Sequence, residues 1–337
     1  MTAIVLALLA FAALAGLLAL ALVLFTARTA RRVEAALPPV GTFLDVDGAR
    51  LQYVDRGRGP AILMIHGLGG QVRHFTHSLV ERLEGEFRVV VMERPGAGHS
   101  ARAPGASAAP RAQAETVASF IQALGLERPL VVGHSLGGAV ALALAAEHPE
   151  LVRGLALVAP LTGLEDAPPT AFRTLYVRSP AIRWLVAWTL ATPAALLRRK
   201  AALAVIFGPE RMPRDYPTAG GGMLSMRPRS YVAAATDLVA IRDDMPAIIA
   251  RYASLRVPVG ILFGTGDRIL DHEVHGVAMR ARVPNLRLEL VEDAGHMLPV
   301  TRPDRVAAFV RDVARWAREL APTAVRVTPS GSRASAG

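Results

Sequence analysis

The sequence of 337 residues predicts an α/β architecture: a mostly parallel sheet of eight strands, helices on both faces, and an inserted helical segment. Three observations carry that prediction. Short apolar runs of four to eight residues alternate with longer amphipathic stretches, as strands joined by crossover helices do. A glycine-flanked serine, Gly133-His134-Ser135-Leu136-Gly137, separates one such run from an alanine-rich stretch. Strand signals then vanish over the 96 residues 161–256 and return afterwards.

The first element is not part of the sheet. Ala3 to Phe25 is a run of 23 uncharged residues, longer than the ~20 needed to cross a bilayer as a helix. A cleaved signal peptide normally has a basic start and an apolar core of about 7 to 15 residues. Here no Lys or Arg precedes the run, so residues 1–30 read as an uncleaved transmembrane anchor that meets the lipid bilayer through residues 3–25. Arg28, Arg31 and Arg32 follow it, and the positive-inside rule therefore places the rest of the chain in the cytoplasm. Residues 31–41, with Pro38-Pro39 and Gly41, read as a linker.

Strands are expected at Thr42–Val46, Leu51–Asp55, Ala61–Ile65, Arg88–Met92, Leu130–Gly133, Gly154–Val158, Val259–Phe263 and Arg287–Leu290, with an Asp47-Gly48 hairpin joining the first two. Helices are expected at Gln71–Leu83, Arg111–Leu124, Leu136–Ala146, Asp271–Ala281 and Pro303–Leu320. Residues 42–160 and 257–320 form the two parts of the core, and 161–256 reads as a helical lid because connections in such sheets usually span only a few residues. Residues 321–337 are small, polar and aperiodic, which predicts a disordered tail.

Hydrophobic residues make up 52% of the chain, enough for a large core, and cysteine is absent. Disulfides, thiolate metal sites and a cysteine nucleophile are excluded, leaving serine, histidine and carboxylates to carry any chemistry. The net charge of +10 is concentrated in the lid, where thirteen basic residues face seven acidic ones. No nucleic-acid motif accompanies that charge, so nucleic acid is not an expected partner. A solvated basic face explains it, and a face held near anionic lipid is the sharper alternative. No feature specifies an oligomeric state.

The serine lies at a strand-to-helix junction, the setting that G-x-S-x-G requires. Gly133 and Gly137 remove side chains that would collide across so sharp a turn, and Gly138, Ala139 and Ala141 keep the following helix slim against the sheet. A serine hydroxyl needs a base to take its proton and a third group to orient that base. Of nine histidines, His296 is the expected base, since Gly295-His296 follows a late strand. Asp267, after the strand Val259–Phe263, is the expected acid, with Glu165 and Asp166 as alternatives. His134 is expected to point away from the serine. His272 and His275, near Glu273, read as a surface helix rather than a metal site. His66-Gly67-Leu68-Gly69-Gly70 ends the third strand with a flexible backbone, so the amides of Leu68 and Leu136 are the expected oxyanion donors, worth roughly 3 to 4 kcal/mol each by analogy with another enzyme.

These motifs, with Glu93-Arg94-Pro95-Gly96-Ala97-Gly98-His99-Ser100 after the fourth strand, resemble the α/β-hydrolase superfamily over residues 42–318, in its lid-bearing branch of esterases, carbon–carbon bond hydrolases and cofactor-free haloperoxidase-like enzymes. The order Ser135, Asp267, His296 agrees with that resemblance. Glu93 stands where relatives usually carry aspartate, which implies a structural role in the loop. Epoxide hydrolases and haloalkane dehalogenases use an aspartate nucleophile, so Ser135 argues against both. The resemblance implies a cofactor-free serine hydrolase, and the anchor and apolar lid favour a hydrophobic or lipid-like ester. Carbon–carbon bond hydrolysis and perhydrolysis use the same residues and remain alternatives. A membrane-tethered binding protein without chemistry is a further one.

Overall fold

A computed structural model describes residues 2–165 and 169–320. All eight expected strands are present: β1 (Thr42–Val46), β2 (Ala49–Arg56), β3 (Ala61–Ile65), β4 (Arg88–Met92), β5 (Leu130–His134), β6 (Gly154–Val158), β7 (Val259–Gly264) and β8 (Leu286–Val291). They form one sheet in the order β1-β2-β4-β3-β5-β6-β7-β8. β1 and β2 are antiparallel to each other, β2 is antiparallel to β4, and every other pair is parallel. β2 begins earlier than expected because Asp47 and Gly48 both take positive φ, 50° and 76°, and so close a two-residue turn that pairs Val46 directly with Ala49.

The helices are α1 (Thr2–Ala36), α2 (Arg73–Thr76), α3 (Pro110–Ala123), α4 (Leu136–Glu147), α5 (Pro180–Thr189), α6 (Ala191–Ile206), α7 (Pro228–Ile249), α8 (His272–His275), α9 (Leu298–Thr301) and α10 (Pro303–Glu319). Two expected helices are broken. Gln71–Leu83 resolves into α2 and a 3₁₀ turn at Val80–Arg82, and Asp271–Ala281 into α8 and a 3₁₀ turn at Val277–Ala281, interrupted at Gly276. Phe75, Leu79 and Val80 still face inward in the first of these, so the apolar spacing was legible although the continuous helix was not.

The parallel strands are apolar on both sides, as burial between two helical layers requires. Leu63, Ile65, Val131, Leu157 and Ile261 meet α3, α4 and the inner face of α7. Their neighbours Ile62, Met64, Val132 and Leu262 meet α10 and the α2 segment on the opposite face. Full burial of each such side chain contributes roughly 1.5–3 kcal/mol. α10 shows how the pattern works: Val306, Phe309, Val310, Val313 and Ala317 recur every three or four residues and are all buried.

Between β6 and β7 the chain leaves the sheet for α5, α6 and α7. At the other end, α1 is long and apolar enough to span a bilayer, and its most apolar window is unburied. It runs on through Ala36, so six of the residues expected to form the linker 31–41 are helical, and their burial explains why. Val33 and the adjoining Leu37 are covered by Leu224 of the insertion. The expected tail, 321–337, and Asp166 lie outside the described residues.

Candidate active site

The strand β5 ends at His134 and α4 begins at Leu136, leaving Ser135 alone at the turn with φ 54° and ψ −121°. That conformation is strained for a side-chain-bearing residue, at about 1–3 kcal/mol, and the backbone around it is fully engaged. Ser135 N–H donates to Val158 O (3.2 Å), and Ser135 O accepts from Gly138 N (2.8 Å) and Leu161 N (2.9 Å). The flanking glycines are required by contact. A Cβ on Gly133 would lie 2.6 Å from Gly137 O, and one on Gly137 only 2.1 Å from Ile65 O. The crowding at Gly137 thus comes from the end of β3 rather than from across the turn. Gly138 is equally tight against Pro160.

His296 and Asp267 meet as expected. His296 Nδ1–H donates to Asp267 Oδ2 at 2.7 Å, and the carboxylate is wholly buried. Its other oxygen accepts from Ile269 N (2.7 Å) and Leu270 N (3.1 Å), so the loop after β7 fixes the carboxylate before it meets the imidazole. Gly266 N donates to Ala294 O (3.0 Å) and ties the Asp267 loop to the His296 loop. Glu165 is engaged elsewhere: it accepts from His275 Nε2–H at 3.2 Å. α8 lies at the surface as expected, with Glu273 and Val274 exposed, but His275 is on its buried face, with Nδ1 accepting from Thr162 N (3.1 Å) and Gly163 N (3.2 Å). His134 Nε2–H donates to His296 O (3.0 Å), with the two rings 5.0 Å apart. His134 therefore packs beside the imidazole of His296, and its burial holds its pKa well below the usual 6.5. No hydrogen bond joins the Ser135 hydroxyl to His296 among the described residues, a common state of such pairs before substrate binds.

The loop after β3 lies directly against the serine, since a Cβ on Gly67 would stand 2.8 Å from Ser135 Cβ. His66 is buried and neutral, its pKa pushed well below 6.5 by burial and by the neighbouring Arg94 charge. Its Nδ1–H donates to Gly67 O (2.9 Å) while Nε2 accepts from Arg94 N (3.0 Å). Gly67 O also accepts from Arg94 Nη2 (2.8 Å) and Gly70 N (3.1 Å). The Gly67 carbonyl and the Leu68 N–H belong to one planar trans peptide, so donors on the carbonyl fix where the amide points. Neither the Leu68 amide nor the Leu136 amide, first in α4, has an acceptor among the described residues.

Arg94 is the residue whose importance the sequence left unstated. Its side chain is fully buried, donating also to His66 O (2.9 Å), Gln113 Oε1 (2.9 Å) and Asp237 Oδ2 (2.7 Å). Asp237 belongs to α7 and also accepts from Arg102, so the insertion is bonded through Arg94 to the loop beside the serine. A signal existed: Asp237 falls on the buried stripe that includes Ala234, Leu238, Ile241 and Met245. Glu93 has the structural role expected of it. Its carboxylate accepts from His99 N (2.6 Å), Ser100 N (2.9 Å) and Val72 N (3.4 Å), and burial raises its pKa. The insertion is bonded to loops near the site at two further points. Glu210 accepts from Gly295 N (3.2 Å), and Tyr216 OH meets His74 Nε2 at 2.7 Å. Ser135 is 8% exposed and His296 4%.

Among known proteins, an uncharacterised protein of Mycobacterium tuberculosis is 31% identical over 276 residues, covering 80% of this chain and 79% of the relative. Lipase 1 of Psychrobacter immobilis is 26% identical over 271 residues, covering 77% and 79%. The solved structure of a membrane phospholipase A superposes with a TM-score of 0.64 at 24% identity, covering 94% of this chain and 99% of that one. The model of the alpha/beta hydrolase family matches residues 62–309. With the match running from β3 into α10, and with the sheet order and the turn at Ser135 already described, the chain belongs to the alpha/beta hydrolase family.

Proposed function

We propose that this chain is a serine hydrolase of hydrophobic or lipid-like carboxylic esters, held at a membrane by α1. The observation that carries the reading is the buried Asp267–His296 pair, 2.7 Å between oxygen and nitrogen, packed beside the strained turn of Ser135. In the reaction, Ser135 Oγ attacks the ester carbonyl as His296 Nε2 takes its proton, and Asp267 stabilises the imidazolium. The amides of Leu68 and Leu136 receive the developing oxyanion. Collapse expels the alcohol, which takes the proton from His296, and leaves an acyl group on Ser135. Water, deprotonated by His296, then attacks the acyl carbonyl, releasing the carboxylic acid and restoring the serine.

The ester class is supported by the lipase among its relatives and by the apolar character of the insertion, which forms a lid over the site. The burial of Ser135 and His296 means that the lid must shift to admit substrate. Retention of α1 is supported by the 23-residue length of its uncharged run, and the helix continues unbroken through Val33, which with Leu37 is buried against the lid. Orientation with the hydrolase on the cytoplasmic side follows from Arg28, Arg31 and Arg32 alone. A chain-length series of p-nitrophenyl esters tests the substrate class. Rates rising from acetate to longer acyl groups and vanishing in Ser135→Ala are expected, whereas a preference for acetate over every longer acyl group counts against a lipid-like substrate.

A further inference from the structure

Ester hydrolysis accounts for the inside of the lid but not for its outer corner. Helices α5 and α6 meet near Leu190 at a bend of 71°. Trp184, Leu185, Trp188, Leu190, Leu196 and Leu197 are all exposed there, Leu185 at 63% and Leu197 at 87%. Scattered apolar residues are normal on a protein surface, but six large ones within residues 184–197, on two helices meeting at one bend, are not scattered, and such concentrations mark interaction sites. Arg198, Arg199 and Lys200 follow at once and are exposed too.

The corner has a defined neighbour. α1 packs against both α5 and α6, and the buried residues of α1, Thr26 and Val33, lie toward its carboxyl end. The junction after α1 is held at several points: Arg227 faces Glu34 at 3.7 Å, His99 Nε2–H donates to Leu37 O (3.0 Å), and Arg73 donates to Pro38 O (3.0 Å). The lid, through Arg227, and the core, through His99 and Arg73, are therefore joined to the chain shortly after the uncharged run of α1 gives way to Arg28, Arg31 and Arg32, near the level at which a spanning helix leaves the hydrocarbon.

We infer that the α5–α6 corner is a second membrane-inserting element, seated in the leaflet that α1 leaves, with the lipid bilayer as its partner. The inference rests on α1 being the anchor. Three features agree with that occupant. Tryptophans are the side chains favoured at the lipid–water boundary. The leucines supply an apolar face of the kind that sinks about 5–10 Å below the headgroups. Arg198, Arg199 and Lys200 stand beside that face where anionic headgroups attract basic side chains. Seated in this way, the moving part of the active site is in direct contact with the phase that holds a lipid-like substrate.

Tryptophan quenching by bromine-labelled lipid tests the placement in the full chain. The protein has three tryptophans, and Trp316 is buried in α10 under Arg287. Full-length protein is reconstituted in phosphatidylcholine–phosphatidylglycerol vesicles with and without brominated acyl chains, alongside the Trp184→Phe/Trp188→Phe variant. The expected result is loss of most of the emission contributed by Trp184 and Trp188, with the emission of Trp316 retained. Leu197→Glu is expected to weaken that quenching while leaving hydrolysis of a water-soluble p-nitrophenyl ester unchanged. Absence of quenching overturns the inference, whether the two tryptophans are then quenched by iodide from water or shielded by a second copy that cross-links as a dimer. Quenching unaltered by Leu197→Glu overturns it as well. Resistance to alkaline carbonate extraction reads α1 separately: extraction-resistant protein with unquenched tryptophans refutes the corner's insertion alone, and extractable protein refutes the anchor.

Discussion

Replacing Asp237 by alanine tests whether the lid and the loop beside the serine are one electrostatic unit. The substitution removes the carboxylate shared by Arg94, whose side chain is fully buried, and Arg102, which is 14% exposed. Removing one partner of a buried ion pair costs about 3–5 kcal/mol, because the charge left behind has lost its compensation. Arg94 keeps its bonds to His66 O, Gly67 O and Gln113, so the lower end, about 3 kcal/mol, is expected. For a chain of this size, at about 2–4 °C per kcal/mol, the melting temperature should fall by roughly 6–12 °C. kcat should fall as well, since Arg94 is one of the donors that fix the Gly67–Leu68 peptide. Thermal melts and steady-state hydrolysis of the full-length protein in detergent provide the readout, with Asp237→Asn expected to lie in between. Replacing both charges, as Arg94→Met with Asp237→Leu, should restore part of the stability but not the turnover. An Asp237→Ala protein that melts within a degree or two of the parent refutes the reasoning.

Two further outcomes follow from the same geometry. Asp267→Asn should leave the fold intact and lower kcat by about 10⁴-fold, as loss of the orienting carboxylate does in related triads; near-normal turnover would mean that another acid orients His296. Stability should fall as pH drops below about 6.5. Burial holds His74 and His99 down at about 4, and His66 and His134 well below 6.5. Between the folded and unfolded values the unfolded chain binds more protons, so stability is full above 6.5 and declines toward pH 4. His74 alone contributes at most about 3 kcal/mol, at 1.36 kcal/mol per pKa unit. His275 is held down by burial as well, so two carboxyl groups raised by burial, Glu93 and Glu289, act in the opposite sense near their own titrations against five histidines. Urea unfolding at successive pH values reads the slope, and stability that is flat or rising from pH 7 to 5 would contradict it.

The sheet was legible in the sequence because parallel strands buried on both faces read as uninterrupted apolar runs, and each run here is bounded by glycine, proline or charge. The turn at Ser135 was legible for a related reason: only glycine fits at 133 and 137, and the contacts at 2.6 and 2.1 Å show how little room there is. The His275 contacts to the 162–163 backbone were not legible, since they depend on a segment more than a hundred residues away. The lid was hardest. A helix buried on one face shows a clear stripe, but α5 and α6 carry leucine and tryptophan on faces that none of the described residues covers, and in α6 the periodicity is weak. Asp237 was overlooked for the converse reason, a charge on a buried stripe whose partners lie on distant loops.

The central claim is that Ser135 is the nucleophile, and labelling with a fluorophosphonate followed by intact-mass measurement tests it most directly. The account predicts one adduct on the folded wild-type chain, none on Ser135→Ala, and greatly slowed labelling of His296→Ala. An unlabelled wild-type protein, or an adduct that persists in Ser135→Ala, would contradict it.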